Sequence, residues 1–171
     1  MPTFKVIVTG PFNSGKTEFV KTGSDIPVVL TEKSITTEDR GIKAETTVAM
    51  DFGRATVDGH TLHLFGTPGQ TRFNFMWEIL ANEMDSFIVL VDATDIPSFP
   101  DAAALIHQFS SFVNVPYLVV SNKVDLEGAA SLDVVRHGTK AGPEITAMEC
   151  VSTDRNSVQA VLREMLKLLV R

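Results

Sequence analysis

Gly10-Pro11-Phe12-Asn13-Ser14-Gly15-Lys16-Thr17 follows the apolar run Phe4–Thr9 and stands at the head of a helical stretch. The string fits G-x-x-x-x-G-K-[ST], a strand-to-helix loop whose glycines let the backbone wrap closely around phosphates. Successive N–H groups near Asn13, Ser14, Gly15, Lys16 and Thr17 then point inward. The helix N-terminus behind them adds a dipole that favours negative charge. In that arrangement Lys16 contacts the β- and γ-phosphates and the Thr17 hydroxyl ligates Mg²⁺. A phosphate loop of this kind implies an α/β fold.

The remainder of the chain agrees. Apolar runs of strand length recur at Phe4–Thr9, Thr61–Phe65, Phe87–Val91, Tyr117–Val120 and Ala147–Val151. All but the last are rich in Val, Ile, Leu or Phe without alternation, as parallel strands covered on both faces require. Helical periods lie between them, at Leu105, Ile106, Phe109, Phe112 and Val113, and again at Val158, Val161, Leu162, Met165, Leu168 and Leu169. Asp154 is placed to cap the last of these. One pair breaks the alternation: Thr47–Val57 and Thr61–Phe65 flank Asp58-Gly59, a hairpin turn signal. The expected architecture is a six-stranded, mostly parallel sheet with one antiparallel edge strand and helices on both faces. Ser24–Glu45 is long, polar and aperiodic, and reads as a mobile functional loop.

Composition narrows the class further. The 171 residues suit a single domain, 1–171, with no linker or repeat dividing it. Fifteen Lys and Arg against 21 Asp and Glu give a net charge of −6. No Lys or Arg occurs from Phe73 to Asn122, whereas Glu78, Glu83, Asp85, Asp92, Asp95 and Asp101 all fall there. The surplus is therefore one acidic flank, which argues against nucleic acid or anionic lipid and for a partner surface carrying Lys or Arg. No apolar run is long enough to span a membrane. Pro2 and the final Leu169-Val170-Arg171 offer no lipid attachment, so no anchor is expected. A lone cysteine, Cys150, fits a core position in a reducing cytoplasm. The histidines His60, His63, His107 and His137 form no ligand-spaced cluster.

The base is read elsewhere. Asn122-Lys123-Val124-Asp125 follows directly on the strand at Tyr117. A carboxylate at Asp125 accepts from both N1–H and the exocyclic amine of guanine; adenine has an acceptor at N1 and no amine at C2. Leaving such a buried group unpaired costs about 1–3 kcal/mol. Asn122 would tie this loop to the phosphate loop, and the Lys123 stem would cover one face of the base.

With these strings the chain resembles the Ras-like small GTPases from Lys5 to Leu169. It is most similar to the prokaryotic MglA-type members found with Roadblock/LC7-domain proteins. GPFNSGKT, TTVAMDFGR, LFGTPGQTRFNFMW and SNKVDL carry the likeness. The resemblance implies a P-loop NTPase fold, GTP and GDP as ligands with Mg²⁺, and a Roadblock/LC7 partner as activator or effector. It further implies Thr47 as the metal ligand that senses the γ-phosphate, with Thr46 the alternative. Gly69 would meet that phosphate through its N–H, and Gln70 would orient the attacking water. Val151, Ser152 and Thr153 correspond to a weaker base-contacting loop, although the family's usual Ser-Ala-Lys is not kept. Phe73, Phe75 and Trp77 would be core residues or partner-facing anchors.

Two positions depart from that family. Gly66 stands where Ras-like proteins carry an Asp that holds a metal-bound water. MglA-type members also lack it, and Asp51 or Asp92 is left to supply the outer shell. Phe12 stands where Ras has glycine, next to the γ-phosphate. That bulk predicts slow unassisted hydrolysis and argues against a Ras-type arginine finger, a device worth roughly 10³–10⁵ in rate. Glu45 occupies the position of the internal arginine of Gα-type proteins, and Arg40 is the nearest substitute. The rival expectations are a GTP-dependent scaffold that barely hydrolyses and an ATP-using P-loop enzyme.

Overall fold

The computed structural model describes residues 2–39, 42–67, 83–112 and 114–171, with side chains described outside 31–49 and 112. Its strands are β1 (Thr3–Thr9), β2 (Val29–Asp39), β3 (Ile42–Val57), β4 (His60–Gly66), β5 (Ser86–Asp92), β6 (Tyr117–Asn122) and β7 (Thr146–Cys150). The helices are α1 (Lys16–Gly23), α2 (Phe99–Phe112), α3 (Leu132–Gly138) and α4 (Arg155–Leu169). The strands form one sheet in the order β2-β3-β4-β1-β5-β6-β7. β1 pairs in parallel with β4 and β5, and β5-β6-β7 continue in parallel. β2-β3 and β3-β4 are antiparallel.

The unbroken apolar runs are split by the pleat into two cores. Val6, Val8, Ile88, Leu90, Leu118 and Val120 face α1 and α4, where Phe19, Val158, Val161, Leu162 and Met165 meet them. Ile7, Phe87, Val89, Val91 and Val119 face the other way, against Phe99, Ala102, Ile106 and Phe109 of α2. Two buried faces are why these strands need no polar alternation. Cys150 lies in the first of these cores. Asp154 caps α4, its side chain accepting from the Asn156 N–H. Among the described residues, no helix is long and apolar enough to cross a membrane.

The sheet departs from the sequence-based expectation in one respect. It has seven strands rather than six, because Ser24–Glu45, read as a mobile loop, contains β2 and the start of β3. Val29 pairs with Phe52, and the ladder runs on to Asp39 and Ile42. A polar ribbon at a sheet edge satisfies its backbone through the ladder and needs no apolar face, so hydrophobic periodicity does not detect it. The other hairpin is as expected. Asp58 and Gly59 adopt φ 47° and 81°, the left-handed pair of a two-residue turn that sets Val57 opposite His60.

Candidate functional site

The loops after β1 and β6, with Gly66 and Thr67 at the end of β4, gather at the C-terminal ends of the parallel strands, where open α/β sheets place their ligands. Two cavities open there. One, of about 470 Å³, is lined by Phe12, Asn13, Gly15, Lys16, Thr17, Glu18, Leu30, Asp51, Gly66 and Thr67. The other, of about 210 Å³, is lined by Gly15, Glu18, Asn122, Lys123, Asp125, Leu126 and Val151 to Thr153. Gly15 and Glu18 belong to both, so the phosphate-loop and base-loop residues of the sequence border adjoining spaces.

The phosphate loop is held open by its own chain. Asn13 and Gly15 are left-handed, at φ 65° and 102°. A Cβ on Gly15 would collide with Nδ2 of Asn122, so glycine is required there for packing as well as for conformation. Lys16 lies buried with its Nζ donating to the carbonyls of Gly10 and Pro11, at 2.8 and 2.9 Å. Burial pulls its pKa from 10.5 down to about 8. The Thr17 hydroxyl donates to Asp51 Oδ2 at 2.8 Å. Phe12 projects from the loop with 81% of its surface exposed, at the rim it shares with Leu30.

Asn122 joins three loops. Its Nδ2 donates to the Ser14 carbonyl at 2.9 Å and its Oδ1 accepts from the Ser152 N–H at 3.0 Å. Lys123 is also left-handed, and its Nζ reaches the Asn13 carbonyl and Asp92 Oδ2, both at 2.9 Å. Asp92 accepts twice more from Thr94, through N–H and hydroxyl. Burial pushes the Asp92 carboxyl up, but the Thr94 and Lys123 donors outweigh it and hold the group below the usual carboxylate range. Asp92 is thus engaged on the base-loop side. Of the two acids considered for the metal's outer shell, only Asp51 lines the phosphate cavity.

Of the remaining sequence-stated residues, Thr47 lies in β3 opposite Ser34 by backbone register. Its side chain, like those of Thr46 and Glu45, is outside the described set. Gly69, Gln70, Phe73, Phe75, Trp77 and Arg40 also lie outside the described residues. Arg54 is exposed on β3 beside His63 and does not line the cavity. Glu18, Leu30 and Thr67 line the cavity without having been singled out in the sequence. Leu30 fell in the presumed loop, and Glu18 has no motif to mark it. The placement of Asp51 did have a signal. Counting seven rungs back from the Asp58-Gly59 turn pairs it with Gly66.

Among the cavity's oxygen donors, the Thr17 hydroxyl and the Asp51 carboxylate are paired with each other and are of the hard type that suits Mg²⁺. Among the described residues, no group of three or more His, Cys, Asp or Glu is placed to hold a metal by itself. An ion here would therefore depend on phosphate oxygens and water for most of its shell.

A parallel α/β sheet with a phosphate loop after β1 and a second polar loop after β6 defines a P-loop nucleotide-binding domain of the GTPase type. The chain belongs to the family described as "Conserved hypothetical ATP binding protein", whose model matches residues 23–170. That match starts beyond the phosphate loop, whose reading rests on the chain's own residues. "Uncharacterized protein MJ1339" of Methanocaldococcus jannaschii is 31% identical over 122 residues, covering 71% of each chain. ADP-ribosylation factor-like protein 8d of Arabidopsis thaliana is 28% identical over 92 residues, 52% of each chain. ADP-ribosylation factor-like protein 3 of Chlamydomonas reinhardtii is 26% identical over 134 residues, 77% of this chain and 68% of that one. The chain thus spans about half the length of the Arabidopsis relative. The likeness to the ADP-ribosylation factor-like proteins supports a place in the Ras-like small GTPase superfamily.

Proposed function

We propose that this protein is a Mg²⁺-dependent guanine-nucleotide switch with slow unassisted hydrolysis of GTP to GDP. The observation that carries the reading is Asn122, which ties the phosphate loop at Ser14 to the loop that ends in Asp125. One ligand with phosphates at Lys16 and Thr17 and a base at Asp125 fills both spaces. The family description prints ATP, whereas Asp125 offers a carboxylate where guanine has two donors. Nucleotide extracted from freshly purified protein, followed by competition of GTP against ATP, tests the point. Retained ATP, or ATP outcompeting GTP, would revive the ATP-using alternative.

In the bound state Lys16 leaves the Gly10 and Pro11 carbonyls for the phosphates, and the loop's N–H groups cradle them. Thr17 and Thr47 would hold Mg²⁺, which would supply charge neutralisation to the phosphates. Gln70 positions water for attack. Phe12 lines the cavity, and its ring would crowd that approach. The same ring and the glycine at 66 favour the second reading, a GTP-dependent binding module with negligible hydrolysis. Phosphate release with and without a Roadblock/LC7 protein separates the two; rates no higher than those of Gln70→Ala would select the scaffold.

The Roadblock/LC7 partner follows from the motif likeness, and the acidic flank suggests where a basic surface would meet it. Asp95 and Asp101 are exposed there, whereas Asp92 is paired with Lys123 and Asp85 accepts from the Lys5 N–H. Lone-cysteine usage and the absence of a candidate span among the described residues are consistent with a cytoplasmic switch.

A further inference from the structure

Asp51 and Glu18 both bring carboxylates to the cavity that holds Lys16 and Thr17, and Asp51 is the one that bonds the Thr17 hydroxyl, its Oδ2 accepting at 2.8 Å. An acid so placed repels a nucleotide's phosphates unless a cation stands between them. Its position in the fold is specific. β3 and β4 pair Asp51 directly with Gly66, and a Cβ built on Gly66 would lie 3.4 Å from Asp51 Cβ and 3.6 Å from Oδ2. A side chain at 66 would therefore start in contact with the Asp51 carboxylate, on the same side of the ladder.

The geometry points to Asp51 as the carboxylate that orients the water shell of the cavity's divalent cation, supplied by β3 across one ladder rung in place of a side chain at 66. This rests on the nucleotide reading above and adds to it the source of the metal's outer support. Mg²⁺ keeps several of its waters, so a carboxylate one layer out acts by accepting their hydrogen bonds. The same carboxylate fixes the Thr17 hydroxyl that would ligate the ion. Asp51 is a positioning residue: it acts on the ion's shell and not on the reacting atoms.

The test measures release of a fluorescent nucleoside diphosphate against Mg²⁺ concentration. The probe is whichever of the guanine or adenine form the protein retains. Failure of the guanine reading then appears in the choice of base, and failure of this inference appears in the metal dependence. Asp51→Asn keeps an acceptor for Thr17 and removes only the charge. The Mg²⁺ concentration needed for half-maximal slowing of release is expected to rise about 10- to 100-fold. Release in excess chelator and the melting temperature should match the parent. The double variant Asp51→Ala, Gly66→Asp should recover much of the metal dependence, since the nearest atoms leave ordinary contact room at 66. An Asp51→Asn protein with the parent's Mg²⁺ dependence would overturn the inference. So would a double variant no better than Asp51→Ala alone.

Discussion

Lys123 and Asp92 meet at 2.9 Å, and the same ammonium donates to the Asn13 carbonyl at 2.9 Å. The base loop is thereby latched to the phosphate loop through a side chain that Asp92 aims. Both groups are largely shielded, with side-chain exposures of 25% and 10%, so solvent screens the pair less than it would at an open surface.

Asp92→Asn is expected to loosen this latch without unfolding the chain. The amide oxygen can keep the Thr94 contacts while the amide nitrogen faces the Lys123 ammonium. Release of bound nucleotide should quicken about tenfold, equivalent to ~1.4 kcal/mol. Thr94→Val, which removes a hydroxyl donor to Asp92 but leaves Lys123 its partner, should have a smaller effect. Stopped-flow release rates check both, and equal effects would show that Lys123 is not what Asp92 controls. Because the Asp92 carboxyl is held low, its contribution is complete above the ordinary carboxylate value of about 3.9 and fades only as pH falls below it. No change from this pair is expected between pH 5 and 8.

Much of this site is visible in the sequence because short strings specify rigid local geometry. The Gly10–Thr17 loop and the Asn122–Asp125 turn each carry their own conformational instructions. The buried strands identify themselves by unbroken apolar runs such as Phe87–Val91. What was hidden depends on pairing between distant segments. β2 is a polar edge, invisible to hydrophobic period, and it brings Leu30 to the cavity rim. The contact between Asp51 and Thr17 depends on the β3–β4 register and on the path of α1 after the phosphate loop. A residue pattern alone left Asp51 and Asp92 equivalent; the ladder separates them.

Base choice should invert with one atom. Asp125→Asn replaces an acceptor by a donor opposite the guanine amine, leaving donors facing each other. GTP affinity should fall roughly 10- to 100-fold, from the about 1–3 kcal/mol cost of an unpaired buried group. Xanthine carries a carbonyl where guanine has that amine, so XTP should bind the variant better than GTP does. Competition against a labelled nucleotide reads the order directly. A variant that still prefers GTP would remove Asp125 from the base site.

Phe12 offers a gain of activity instead of a loss. Its ring is exposed, so Phe12→Gly should change stability by no more than about 0.5 kcal/mol. If the ring crowds the approach of water and Gln70, its removal should raise unassisted phosphate release about tenfold or more. Nucleotide affinity should stay unchanged, because the loop's N–H groups and Lys16 remain. Single-turnover hydrolysis measures the step without product release. An unaltered rate would mean that slow turnover, if observed, has its origin elsewhere.

Lys16 ties nucleotide binding to protons. Burial lowers its pKa to about 8, and the Gly10 and Pro11 carbonyls are its only hydrogen-bond acceptors among the described residues. Phosphates beside the ammonium favour the charged form, so binding should raise that pKa again. Near pH 8 about half of the empty molecules lack the proton, and binding should take up about 0.5 proton, falling towards zero at pH 6. Affinity should accordingly weaken as pH rises above 8. Stability of the empty protein runs the other way. Its unfolded chain holds the Lys16 proton up to about 10.5 and the folded one only to about 8, so this residue makes folding more favourable as pH climbs between those values. Calorimetry in two buffers of different ionisation enthalpy gives the proton uptake, and Lys16→Arg, charged throughout, provides the control. Uptake at pH 8 that persists in Lys16→Arg would assign the proton to another group; proton release on binding would contradict the coupling altogether.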